Sequence, residues 1–307
     1  MLVGQEAPPT GEPVGEGLRR AMDASLDRLV ASLDLQQVGH DRFLAPRGPG
    51  QFERMFGGQL LAQALVAAGS TVSDQVPESL HAYFVGAGDP EEDVELQVER
   101  VRDGRSVSTR RVTITQGGRP LLTAIAAFHG DEAPAEPRAP ASSDPTVEHI
   151  PLLQDWVTAL RPHQQDRGRT WIDRPPPVEI RIDEPPSFLG GVTSDAPRRH
   201  WMRAPGSVGD DPLLHAALLA HASDYLLLDM VMRARPDRVE GRLGALSLDH
   251  SLWFHRPVRF DHWHRYDQEL VALSGQRGLA RGAIRAGGAL VATVTQEGLL
   301  RPMGPPA

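Results

Sequence analysis

The feature that most narrows what this chain can fold into is that it repeats itself. LLAQALV (60–66) aligns with LLAHASD (218–224), HAYF (81–84) with SLWF (251–254), and RVTITQGG (111–118) with RGAIRAGG (281–288). In each copy a helix-patterned run is followed by a strand, then by three more strands with a Gly-Gly pair before the last. Two copies of one unit, each a long helix against an antiparallel sheet, is the architecture this order implies, an α+β fold.

The local signals support that reading. FGGQLLAQALVAAGSTV, from Phe56, is rich in Ala, Leu and Gln and meets no breaker until Gly69, so it predicts a helix entered through Gly57 and Gly58. The apolar run DPLLHAALLAHASDYLLLDMVM predicts a second helix starting near Asp210, with Asp211-Pro212 as its start signal. Between Asp93 and Gly130, apolar and polar residues alternate around Asp103-Gly104 and Gly117-Gly118, as in antiparallel hairpins. Residues 18–33 show helical spacing, HIPLLQDWVTAL a short helix, and PVEIRID and RHWMRA two strands. Residues 1–17 are expected to be disordered, and 131–150 to form a Pro/Ala/acid linker between units at 18–130 and 151–307.

Composition limits the chemistry. There is no cysteine, which removes thiolate nucleophiles, disulfides and cysteine-bound zinc. There is no lysine either, which removes Schiff-base chemistry and a Walker lysine; arginine remains well suited to phosphates. A net charge of −8, without a basic stripe, argues against a nucleic-acid partner. No run approaches the length of a membrane span. The first residues lack a secretory pattern and RPMGPPA is no peroxisomal address, so a cytoplasmic location is expected.

Three polar residues stand out against this background. Asp224 lies in a run that is apolar on nearly every face, where a carboxylate is costly unless partnered. It either pairs with His221 or reaches solvent, or it orients and deprotonates a water; the first copy has Val66 at this position. Gln296 sits in the β-branched run VATVTQEGLL, either on the solvent face or as an amide that both donates and accepts. Ser247 is ordinarily a structural strand serine; the matching position in the first copy is near Pro77. Asp249 and His250 are neighbours on one strand and point to opposite faces, so they do not form a dyad. His262 and His264 would share one side of a strand, but no third ligand stands at metal-site spacing, and no metal is expected. Pro205-Gly206-Ser207-Val208-Gly209 lacks the first glycine of a nucleophile elbow.

These stretches resemble the acyl-CoA thioesterase II family, whose fold is a double hotdog. FGGQLLAQAL (56–65), HAYFVGAGDP (81–90), VERVRDGRSVSTRRV (98–112), HASDY (221–225), DHSLWFHRP (249–257) and VATVTQEGLLRP (291–302) carry the resemblance. It covers roughly 34–130 and 210–302, and is poor over 131–209. The resemblance implies that Asp224, Ser247 and Gln296 are the catalytic residues, with serine at a place where threonine is common. They would hold one water against the thioester carbonyl of a fatty acyl-CoA, with no cofactor and no covalent intermediate. A backbone N–H would stabilise the oxyanion, and an apolar channel beside the helix would take the acyl chain. Arg256 and Arg281 are candidates for the nucleotide phosphates, and homo-oligomers are expected. Two other readings stand beside this one, a non-catalytic acyl-CoA binder and a hotdog enoyl-CoA hydratase.

Overall fold

The computed structural model describes residues 15–130, 147–160, 165–166, 168–235 and 243–302; of the disorder expected over 1–17 and the linker over 131–150, residues 1–14 and 131–146 lie outside them, while Glu16 and Gly17 are helical and Val147–His149 form a 3-10 turn, against the expectation. The N-terminal half runs α1 (Glu16–Leu33), β1 (Gln36–Gly39), β2 (Arg42–Ala45), α2 (Gly57–Gly69), β3 (Gln75–Phe84), β4 (Val94–Arg102), β5 (Val107–Gln116) and β6 (Arg119–Gly130). The C-terminal half runs α3 (Leu153–Ala159), α4 (Thr170–Asp173), β7 (Glu179–Ile182), β8 (Arg198–Arg203), α5 (Pro212–Ser223), α6 (Asp229–Arg233), β9 (Leu243–Ser247), β10 (Asp249–Phe254), β11 (His264–Ser274), β12 (Arg277–Ala286) and β13 (Ala289–Pro302).

The repeat is visible in the strand order β1-β2-β4-β5-β6-β3-β10-β13-β12-β11-β8-β7. It reads as one unit and then the same unit reversed. The halves join where β3 meets β10 antiparallel, with Leu80 opposite Leu252 and His81 opposite Ser251. Both Gly-Gly pairs turn as hairpins, with φ of +54° and +77° at 117–118 and +55° and +84° at 287–288. Those values suit glycine because it carries no Cβ.

The helices α2 and α5 are buried on nearly every face, as their apolar sequences require. They pack on each other and against the sheet. Gly58 permits the close approach: a Cβ there would lie 2.3 Å from the backbone oxygen of His221. Gly58→Ala must push two buried helices apart, and overpacking of this kind costs roughly 1–3 kcal/mol. A urea midpoint equal to wild type would show that the helices yield freely here.

Two further expectations need correction. The run from Asp210 to Met232 is not one helix. The first segment ends at Ser223, Asp224 is its C-cap residue, and Leu226 takes a left-handed φ of +62° before α6 begins. Asp224 therefore sits at the end of a helix, without the i+3 and i+4 helical neighbours a mid-helix residue would meet. His262 precedes the strand that His264 opens, so the two do not share a strand face. No cluster of metal-ligating side chains occurs among the described residues. Likewise, no helix among them is long and apolar enough to cross a membrane.

Candidate active site

The site forms where β13 changes partners. Its first part pairs with β10 through Thr295 opposite Ser251, and its end pairs with β9 through Gly298 opposite Ser247. Between them, Leu248 N donates to Glu297 O at 2.9 Å and Glu297 N donates to the Asp249 carboxylate at 3.0 Å. Gln296 is held at this switch, fully buried on the inner face.

The Gln296 amide gathers the other two residues. Its Nε2 donates to Asp224 Oδ1 at 2.7 Å and to Ser247 Oγ at 2.8 Å. Both amide protons are thereby used, and Oε1 has no partner among the described residues. Because Ser247 Oγ accepts from the amide, its own hydroxyl proton remains free to be directed elsewhere. Three side chains from the end of a helix, a short strand and a long strand, far apart in sequence, thus meet through one carboxamide.

Burial pushes the Asp224 carboxyl up to about 6, against the opposing pull of the Gln296 amide and the Gly58 backbone N–H. No cation among the described residues offsets that burial. His250 stands nearby, with Nδ1 3.8 Å from Asp224 Oδ1, but burial pushes this imidazole down to about 3 and it is neutral. Its hydrogen bonding fixes the tautomer. Ser223 Oγ donates to Ala220 O at 2.8 Å, so it accepts from His250 Nε2–H at 2.9 Å. The Nδ1 lone pair, unpartnered among the described residues, faces the carboxylate. A carboxylate beside a neutral ring, in a dry setting, is suited to taking a proton near neutral pH.

The N-terminal end of α2 abuts the same carboxylate. A Cβ at Gly57 would lie 2.7 Å from Asp224 Oδ2 and 3.0 Å from the Phe84 ring, so glycine keeps this space open. Unpaired N–H groups and the helix dipole make such an end favourable to negative charge. The first half has no matching chemistry, since Val66, Ala126 and the region of Pro77 occupy the corresponding places.

The two arginine candidates are not brought to this point. Arg281 lies on β12 and pairs with Glu269 on the exposed side of the sheet. Arg256 is half-buried in the loop after β10. Sequence reasoning did not single out Gly57, Gly58 or His250 as parts of the site. For His250 a signal existed: the alternation that separates it from Asp249 turns it inward, toward the helix that carries Asp224.

Residues 172–299 match the family model described as acyl-CoA thioesterase, and 45–129 match the model of the acyl-CoA thioesterase N-terminal domain. The chain is 36% identical to human acyl-coenzyme A thioesterase 8 over 96% of both chains. It is 31% identical to acyl-CoA thioesterase 2 of Haemophilus influenzae, covering 91% of this chain and 99% of that one. Its fold resembles an acyl-CoA thioesterase II from Mycobacterium marinum with a TM-score of 0.69 at 32% identity, over 90% of this chain and 97% of that one.

Proposed function

The chain belongs to the acyl-CoA thioesterase II family, has its double-hotdog fold and is a thioester hydrolase, and we propose that it cleaves fatty acyl-CoA with a water held by Asp224, Ser247 and Gln296. The observation that most supports this is the single carboxamide of Gln296 bonded to both Asp224 and Ser247.

In this mechanism the Gln296 amide orients a carboxylate and a hydroxyl toward one water, so the attacking oxygen is positioned before the carbonyl arrives. Asp224 takes a proton from the water as its oxygen bonds to the thioester carbon. Negative charge grows on the carbonyl oxygen, and the positive end of the α2 dipole at Gly57 stands beside it, the Gly58 N–H being already given to Asp224. Collapse of the tetrahedral species breaks the C–S bond. The proton on Asp224 passes to the departing sulfur, giving a free fatty acid and CoA. Every proton is accounted for without a metal or a covalent enzyme intermediate.

The test is thiol release from a series of straight-chain acyl-CoA substrates. Ser247→Ala strands one Gln296 N–H and removes a hydroxyl contact to the water, and kcat should fall roughly tenfold, the order of one lost hydrogen bond of about 1.4 kcal/mol. Ser247→Thr keeps the hydroxyl on a stiffer side chain and should hold kcat within a few-fold of wild type. An alanine variant as fast as wild type would remove Ser247 from the mechanism.

The closeness of His250 to Asp224 gives the hydratase reading its one point of support. The ring is fully buried behind the carboxylate, however, with Nε2 committed to Ser223. Crotonyl-CoA incubated with the enzyme should therefore lose its thioester without prior hydration of its double bond.

A further inference from the structure

A cleft whose enclosed space is about 10 Å³, the room of one water-sized group, opens where the two halves meet. Its wall joins residues of both halves, including Gln51, Arg54, Phe56, Gln59, His221 and Tyr225. Tyr225 follows the proposed base in sequence, and Phe56 precedes Gly57, so the cleft adjoins the reaction site.

Two amide groups in this wall are buried and incompletely bonded. Gln51 is 5% exposed and Gln59 is 3% exposed, and the Nε2 of each has no partner among the described residues. Neither group is loosely held. The Tyr225 hydroxyl donates to Gln51 Oε1 at 2.8 Å, which leaves Nε2 as the free end. The Gln51 carbonyl is in turn pinned by Thr170 Oγ1 at 2.7 Å. Gln59 lies directly on Gly48, where a Cβ would stand 2.2 Å from its Oε1. Gln63, one turn further along α2, provides the contrast: its Nε2 donates to Ser32 O and Pro46 O and is a framework group. A buried donor without a partner costs stability, and such groups persist where a ligand, a water or an ion completes them; here the two lie together on one cleft.

The occupant must supply acceptor oxygens and no charge. His221 is held neutral by burial and no carboxylate among the described residues lines the cleft; Arg54 stands exposed at the rim. We infer that Gln51 and Gln59 form a subsite for neutral acceptor oxygens of the acyl-CoA substrate, an inference that rests on the proposed function above. Such oxygens have two sources. The amide carbonyls and the hydroxyl of the pantetheine arm are present in every acyl-CoA, and a hydroxyl on the acyl chain only in substituted substrates.

Binding rather than turnover separates this inference from the catalytic reading. The probes are a non-hydrolysable S-alkyl-CoA thioether and its 3-hydroxyalkyl counterpart, titrated calorimetrically into wild type, Gln51→Leu, Gln59→Leu and Gly48→Ala. The last variant displaces the Gln59 amide without changing it. Kd should rise at least tenfold in the variants; the melting temperature should stay near wild type for Gln59→Leu and fall for Gln51→Leu, which strands the buried Tyr225 hydroxyl. A rise for both ligands assigns the oxygens of the pantetheine arm, and a rise confined to the 3-hydroxyalkyl ligand assigns the acyl chain. Unchanged Kd for both ligands in the folded variants, or no binding by wild type, overturns the subsite. Thiol release in parallel tests the hydrolase reading independently.

Discussion

Asp224→Asn should lower kcat by roughly 10²–10⁴-fold, the span that a positioned general base commonly contributes, and should leave the fold intact or firmer. The asymmetry follows from the environment of the carboxyl. In the unfolded chain it titrates near its ordinary value of 3.8, and in the fold near about 6. The folded protein therefore binds this proton more tightly than the unfolded chain does. Below 3.8 the group is protonated in both states and imposes no penalty. As pH rises from 3.8 through about 6, the unfolded chain ionises first and stability falls. Above about 6 the full penalty is present, on the order of 3 kcal/mol for a gap of this size. Asparagine removes that cost, although the Gly58 N–H then faces an uncharged amide, so the net gain is smaller. The expected pair of observations at pH 8 is a thiol-release rate cut at least a hundredfold and a melting temperature equal to or above wild type. In wild type, kcat should climb tenfold per pH unit below about 6 and level off above it, as the carboxylate forms. The variant should lose that rise. Wild-type turnover by the asparagine enzyme would end the case for Asp224 as the base.

The same burial explains what could be read from the residues and what could not. A carboxylate in an apolar run is visible in sequence because it violates patterning, and Asp224 is legible for that reason. The two Gly-Gly hairpins are legible because their left-handed φ values demand glycine. The break at Leu226 is a different matter. YLLLDMV contains no breaker, so local patterning continues the helix, and only side chains from distant strands hold the turn in place. The union of the two sheets through β3 and β10 was equally hidden, since alternation tells which face of a strand is buried and not which strand it meets. Gln296 and Ser247 fall between these extremes. Each is an ordinary strand residue alone, and their relation appears only where β13 exchanges β10 for β9.

Those distant side chains suggest the second large effect, because the turn bearing Asp224 is clamped from the sheet. Tyr266 donates to Ser223 O at 3.0 Å, Gln268 to Tyr225 O at 3.4 Å, and Arg198 to Leu226 O at 2.9 Å. Arg198 is locked by Asp229 at 2.6 Å and Gln268 Oε1 at 3.2 Å, and all of these side chains are buried. A left-handed leucine costs on the order of 1–3 kcal/mol and persists only where its surroundings impose it. Asp229→Leu alone leaves the Arg198 charge buried without its carboxylate, and a loss of about 3–5 kcal/mol is expected. Arg198→Met alone leaves the buried Asp229 charge with only the Ser187 N–H and hydroxyl as partners and releases the Leu226 carbonyl. Joining the two changes removes both charges together, so the double variant should be more stable than either single one. Activity should not follow stability. With the guanidinium gone, the turn loses its grip on Leu226 and Asp224 no longer meets Gln296 in a fixed geometry. The double variant should therefore fold, bind acyl-CoA with a KM near wild type, and retain at most a few per cent of kcat, since small misplacements of a reacting group cost about 10²-fold. Urea titration and thiol release on all four proteins give the complete cycle. A double variant that recovers both stability and kcat would reduce the clamp to a structural ion pair with no part in placing the base.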